Sequence, residues 1–255
     1  MNSATVRNLL VRGMLAGLAA GVLALVVAYF LGEPHIDSAI GFEEAHAHGH
    51  DHGEEEELVS RSLQSTAGLA TGILLYGVAF GGIAALVYCF ALGRVGRFSP
   101  RATALLLSGC ALLVLYVVPF LKYPANPPAV GDGDTIARRT GLYLLMMVLA
   151  VLLAVAATLF GRRLAPVLGT WWATVAAVAA FAVVTGLAYA FLPSVNEVPA
   201  GFPGALLWRF RLSAIALQIT LWTGFGLVFG ELAQRLLRPG AVPSRPPAAA
   251  ATTAG

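Results

Sequence analysis

Six stretches of the chain run for about 20 residues or more without a charged side chain: 13–32, 67–93, 102–121, 141–161, 171–192 and 212–230. An α-helix rises 1.5 Å per residue, so about 20 apolar residues cross the hydrocarbon core of a bilayer. A buried helix of a soluble protein is rarely this long without a charge, and here six follow one another. The pattern predicts an all-α, polytopic integral membrane protein, a bundle of six transmembrane helices at about 9–32, 67–93, 102–121, 141–161, 170–192 and 211–233. They make one transmembrane domain over 1–238, with a His- and Glu-rich loop at 33–61. The tail 239–255, rich in Pro, Ala and Thr, is expected to be disordered.

Composition strengthens this picture: 58% of residues are hydrophobic and 11% charged, against about 25% charged in an ordinary soluble domain. Charge distribution sets the orientation. With six crossings both termini share a side, and that side carries ten cations: Arg7, Arg12, Arg94, Arg97, Arg101, Arg162, Arg163, Arg235, Arg238 and Arg245. The other side carries six: Arg61, Lys122, Arg138, Arg139, Arg209 and Arg211. Both termini are therefore expected in the cytoplasm, and the loop 33–61 outside. Twelve of the thirteen acids fall on the outer side, which agrees. The pI of about 9.1 then reflects topological anchors and needs no nucleic-acid partner. Arg7 and Arg12 resemble the start of a signal peptide, but the apolar run is too long and no small-x-small cleavage site follows, so a retained signal anchor is expected. Cys89 and Cys110 sit inside apolar helices and read as small hydrophobes. Gly13, Gly17 and Gly21 form a small-residue stripe suited to close helix packing, and Gly68/Gly72 and Gly226/Gly230 repeat the spacing.

The chemistry concentrates in the outer loops. His46, His48, His50 and His52 occupy every second position of the tract Ala-His-Ala-His-Gly-His-Asp-His-Gly-Glu-Glu-Glu-Glu, with Asp51 among them. Imidazole nitrogens and carboxylate oxygens are the ligands that cobalt, nickel and zinc accept. Gly49 and Gly53 argue against a helix, so a mobile loop is expected, one that must curl to bring two imidazoles onto one ion. The competing reading is a low-complexity insert with incidental metal affinity. Upstream, Pro34 is expected to stop the first helix and residues 37–42 to form a short interfacial turn, with Glu33, His35 and Asp37 as further metal ligands near the membrane surface. Two proline-rich outer segments, 119–134 and 192–203, supply Asn126, Asp132, Asp134, Asn196 and Glu197 as the lining of a vestibule. Each precedes paired arginines, Arg138/Arg139 and Arg209/Arg211, which either pair with outer acids and lipid headgroups or position the vestibule acids. No Asp, Glu, His, Lys or Arg lies in the middle third of any helix, although intramembrane charges usually mark ion paths. Met146, Met147 and Gln218 are the soft or polar candidates there, and Glu231 sits at the inner mouth.

Three runs of sequence carry a family resemblance: Gly-Glu-Pro-His-Ile-Asp-Ser-Ala-Ile with Glu-Glu-Glu-Leu-Val-Ser-Arg (32–40 and 55–61), Phe-Leu-Lys-Tyr-Pro-Ala-Asn-Pro-Pro-Ala-Val-Gly-Asp (120–132), and Leu-Pro-Ser-Val-Asn-Glu-Val-Pro-Ala-Gly-Phe-Pro with Leu-Leu-Trp-Arg-Phe-Arg-Leu (192–203 and 206–212). In these the chain resembles the probable cobalt transporter subunit family, CbtA. The resemblance implies a plasma-membrane protein linked to cobalt supply for cobalamin synthesis. It also implies a small partner subunit of the CbtB type, with one membrane span and its own histidines. It brings no established ligand residues.

The function expected on these grounds is uptake of a divalent transition-metal cation, Co²⁺ first and Ni²⁺ or Zn²⁺ next, gathered by the outer loop. No tightly bound cofactor is expected, and the transported ion is cargo. Capture needs neutral imidazole and should weaken below about pH 6, near the ordinary histidine pKa of about 6.5. No phosphate-binding loop of the Walker type occurs, so the chain is not expected to bind ATP. No nucleophile–base pair is apparent, so an enzyme is not expected. The alternatives are a non-conducting metal-binding accessory or sensor, and a membrane-embedded enzyme acting on lipid-linked substrates.

Overall fold

In the computed structural model, residues 2–47 and 60–238 are described, and they are all-helical, with no strand among them. Helix α1 (Ser3–Val27) passes through a π-helical turn, Ala28–Gly32, directly into α2 (Glu33–Ala47). After residue 60 a short α3 (Arg61–Leu63) and a second π turn, Gln64–Gly68, lead into α4 (Leu69–Ala91). Helix α5 (Pro100–Ala111) continues through a third π turn, Leu112–Val117, into α6 (Val118–Lys122). A 3₁₀ turn, Gly133–Thr135, precedes α7 (Ile136–Phe191), and α8 (Gly204–Leu237) closes the bundle. Five of the resulting continuous helices are long and apolar enough to cross a membrane.

The six uncharged stretches occupy five helices because the fourth and fifth share α7. Its backbone leaves helical geometry at Gly169, with φ 76° and ψ 160°. The chain reverses there: a Cβ on Gly161 would lie 3.0 Å from the Ala177 side chain, although a straight helix would hold these residues about 24 Å apart. Only glycine enters that left-handed φ region without cost.

Three expectations for the segment 33–61 are corrected. Its described start, Glu33–Ala47, is helix and not loop. Pro34 does not end the first helix, and residues 37–42 are not a turn, since helix continues to Ala47. A proline ring normally collides with the carbonyl four residues earlier and removes one ladder bond. Here the widened π turn immediately precedes it, with the Glu33 N–H reaching the carbonyl of Ala28, so the ladder is already re-registered where the proline stands.

The glycine stripe of α1 lies antiparallel on α4, against Gly77 and Gly81. A Cβ at Gly17 would come within 2.0 Å of the Gly77 carbonyl oxygen, and one at Gly13 within 2.5 Å of that of Gly81. Backbone rests on backbone over this seam. On another side of α1, α8 packs with Gly224 against Ala20, and its Gly226 and Gly230 admit Ser108 and Ala104 of α5. Leu9, Tyr88, Phe225 and Phe229 fill the centre of this four-helix core. Gly72, by contrast, has open space beside it, so the second small-residue pair of the sequence is not a packing device.

A second cluster, with Val114, Val118, Tyr123, Met146 and Ala150 at its centre, joins both halves of α7 to the π turn and α6. Met146 is fully buried there as packing. The Arg12 guanidinium donates to the Leu232 carbonyl at 2.7 Å, so the start of α1 and the end of α8 meet at one end of the bundle. That end also carries the α4–α5 connection and the α7 reversal, and is called here the arginine-rich end. The opposite, proline-rich end is covered by α2 together with the segments after α6 and α7: Ala39, Val130 and Phe202 form a third small cluster.

Candidate functional site

The proline-rich end is built on α2. One residue turns an α-helix by about 100°, so Glu33 and Asp37 share a face while His35 points away from both. Arg61, at the start of the next helix, bridges the two carboxylates. Its Nη2 donates to Glu33 Oε2 and, at 2.8 Å, to Asp37 Oδ1, while Nε reaches the same Asp37 oxygen at 3.1 Å. The Glu33 side chain is only 9% exposed and that of Asp37 62%, so the clamp has one dry carboxylate and one wet one. It joins the end of the first crossing to the start of the second, at the base of the polar loop.

His35 faces α8. Its Nδ1 lies 2.6 Å from the Leu31 carbonyl, which also accepts the Ser213 hydroxyl at 2.7 Å. A carbonyl only accepts, so Nδ1 is the donor, and in the neutral ring the lone pair is on Nε2. His46 is arranged alike: Nδ1 donates to the Phe42 carbonyl at 2.8 Å, and the ring stacks on Phe42 at 4.0 Å between centroids. Phe42 in turn meets Phe202 edge-on at 5.0 Å, tying α2 to the segment after α7. Among the described residues neither ring has a hydrogen bond at Nε2, which in the neutral imidazole is the atom left to bind a metal. His48, His50, Asp51 and His52 lie outside the described residues. Among the described residues no three His, Cys, Asp or Glu side chains converge on one point.

Four of the five expected vestibule residues, Asn126, Asp132, Asp134 and Glu197, sit in two polar brackets. Glu197 Oε2 accepts the Asp132 N–H at 3.1 Å and the Thr135 hydroxyl at 2.8 Å, and lies 3.3 Å from Arg139 Nε. That last approach is an ion pair without hydrogen-bond alignment. Arg139 Nη2 donates to the Asp132 carbonyl at 3.2 Å, and the Asp132 carboxylate caps the short turn through the Asp134 N–H at 3.0 Å. In the second bracket, Arg211 donates to the Ala125 carbonyl at 3.2 Å and to Asn126 Oδ1 at 2.9 Å. Asn196 is exposed. Four cations of the proline-rich end, Arg61, Lys122, Arg139 and Arg211, therefore have partners among the described residues, while Arg138 and Arg209 are exposed.

Reading the sequence alone missed the lacing of helix ends. Lys122 Nζ donates to the Tyr189 carbonyl at 2.8 Å, the Tyr189 hydroxyl donates to the Val118 carbonyl, and the Tyr123 hydroxyl donates to the Pro193 carbonyl at 2.8 Å. Helix C-termini leave carbonyls without intrahelical partners; Lys122 satisfies that of Tyr189 in the last turn of α7, and the two tyrosine hydroxyls tie α6 to the end of α7, which runs parallel to it. Burial raises the Tyr123 pKa above the ordinary tyrosine value, so the phenol stays a donor. The available signal was the shared pattern of a helix ending in an aromatic residue followed by proline.

The chain matches the profile of the probable cobalt transporter subunit family (CbtA) over residues 6–234, and it belongs to that family. No curated protein and no solved structure matches it.

Proposed function

We propose that, as a member of the probable cobalt transporter subunit family, this chain takes up Co²⁺ through a bundle of six crossings, with the proline-rich end outside the plasma membrane and the arginine-rich end in the cytoplasm. The orientation follows the positive-inside rule, and the reversal of α7 at Gly169 supports counting it as two crossings. His46 near the end of α2 and the loop histidines His48, His50 and His52, with Asp51, gather the cation. His35, Glu33 and Asp37 receive it at the membrane surface, and Asn126, Asp132, Asp134, Asn196 and Glu197 line the vestibule beyond.

The observation that carries the reading is the ligand-bearing helix itself. It continues the first crossing without a break, and it presents Nε2 of His35 and His46 unengaged while Arg61 holds Glu33 and Asp37 together. A divalent ion competes with Arg61 for those carboxylates, and imidazole with carboxylate suits a borderline cation. The ligand chemistry alone does not rank cobalt above nickel or zinc, because the Irving–Williams order governs all such sites; the family supplies that choice. Its description as a subunit implies a partner, and a small single-span protein of the CbtB type fits that role.

A second reading has an observation of its own. The six apolar stretches 13–32, 67–93, 102–121, 141–161, 171–192 and 212–230 carry no Asp, Glu, His, Lys or Arg, which suits a metal-binding accessory that does not conduct. Radiocobalt accumulation in liposomes holding the purified chain separates the two. Uptake above empty vesicles, either alone or once the partner subunit is added, supports transport. Binding without accumulation in both preparations would replace it with the accessory role.

A further inference from the structure

Between the four-helix core and the first half of α7 lies an apolar cleft of about 350 Å³. Its walls include Ile83 and Val87 of α4, Ala111 of α5, Val151 and Ala154 of α7, and Phe225 of α8, and no charged side chain lines it. The cleft opens sideways: Ile83, Val87 and Val155 are 55%, 51% and 53% exposed at its rim. One end points toward the arginine-rich end of the bundle, where Tyr88 and Ala104 line it and the Tyr88 hydroxyl reaches the Pro100 carbonyl at 3.3 Å. Beyond that end stand Arg94 and Arg97 in the α4–α5 connection. Arg162 and Arg163 follow Val155 on α7 by seven and eight residues, about 10–12 Å further along the axis. All four are exposed, and none has a carboxylate partner among the described residues.

We propose that this cleft holds one acyl chain of an anionic glycerophospholipid, drawn from the leaflet at the arginine-rich end, with its phosphate among Arg94, Arg97, Arg162 and Arg163. The proposal rests on the membrane setting and is independent of the cargo. Volume selects the occupant. A membrane-spanning helix about 10 Å wide and 30 Å long displaces roughly 2,400 Å³, far more than the cleft holds, so a partner's transmembrane helix does not fit inside. An apolar cavity of about 150 Å³ takes up a benzene molecule, and a space roughly twice as large accommodates about a dozen carbons in a row. Wall chemistry agrees, because an uncharged cleft binds hydrocarbon and leaves the headgroup to the exposed arginines outside it. Each such cation near a membrane surface favours an anionic headgroup by about fivefold. The occupant fills the seam between the α7 pair and the core, where protein atoms do not meet.

The test uses the intact chain in nanodiscs of phosphatidylcholine containing a minor fraction of phosphatidylglycerol with brominated acyl chains. Trp222 lines the cleft; with W171F, W172F and W208F it is the remaining tryptophan of the four. The expected result is strong quenching of Trp222, reduced at least about fivefold by A154F, which fills the cleft, and reduced similarly by R162Q with R163Q. The arginine pair lies outside the packed core, so it keeps the test decisive where A154F fails to fold. Quenching of Trp222 at the level of randomly mixed lipid, or quenching unaltered by the arginine substitutions, would overturn the proposal.

Discussion

The α1–α4 seam and the proline-rich cap hold the molecule together by opposite means. Along the seam, Gly13 and Gly17 face Gly81 and Gly77 with backbone on backbone, and nothing between them can rotate away. In the cap, the Arg61 clamp holds α2, while the Glu197 bracket and the lysine and tyrosines at the helix ends hold the neighbouring segments, all through side chains that could be exchanged for other partners. In lipid there is no hydrophobic drive between helices, so close backbone approach is the way to fix a pair. At a wet surface, charge-assisted hydrogen bonds fix a geometry yet yield to a competing ion. The contrast assigns rigidity to the core and cation sensitivity to the cap.

The seam should break most severely. Gly17→Leu places side-chain atoms inside the Gly77 peptide, which no rotamer avoids, and should cost at least about 3 kcal/mol, at the upper end of overpacking penalties. Loss of the cooperative thermal transition in detergent checks this. Gly72→Leu, in open space, should leave the midpoint where it was, and equal damage by both would remove the distinction between the two glycine pairs.

In the cap, Arg61→Ala leaves the sheltered Glu33 carboxylate without its cation and should cost about 2 kcal/mol, below the range for fully buried pairs because Asp37 is wet. Adding Glu33→Gln should recover most of that loss in denaturant titrations; no recovery would mean that the clamp is not what holds α2. The same Arg61→Ala chain, kept folded at low temperature, should bind Co²⁺ more tightly by calorimetry, since the resident cation is gone. Smaller still, Tyr123→Phe removes one hydrogen bond to the Pro193 carbonyl and should cost about 1 kcal/mol.

These two regions were unequally legible in the sequence. The glycine stripe of α1 announces itself by spacing, and a helical bundle in lipid follows from uncharged length. Its partner, Gly77 and Gly81, is hidden among the many small residues of α4, because spacing does not say which stripe meets which. The course of the chain at Pro34 departs from the sequence expectation for a physical reason: proline's effect on a helix depends on the ladder before it, and the π turn is not encoded by any single residue. The fourth and fifth stretches were separable by the charged Arg162 and Arg163, yet the reversal itself depends on one glycine, Gly169. In the cap the ligand types were visible, while their pairing was not. Glu33, His35 and Asp37 look like one alternating ligand set until the helix splits them, sending the acids to Arg61 and the imidazole to the Leu31 carbonyl that it shares with Ser213.

The most direct measurement of the account is radiocobalt accumulation, as a function of external Co²⁺, in cells carrying the chain and its partner subunit, compared with a deletion of residues 45–57. If the loop collects cations for a path built elsewhere in the cap, the deletion raises the half-saturating concentration and leaves the maximal rate nearly unchanged. Loss of all accumulation with the protein still inserted in the membrane, or a concentration dependence identical to that of the intact chain, would contradict it.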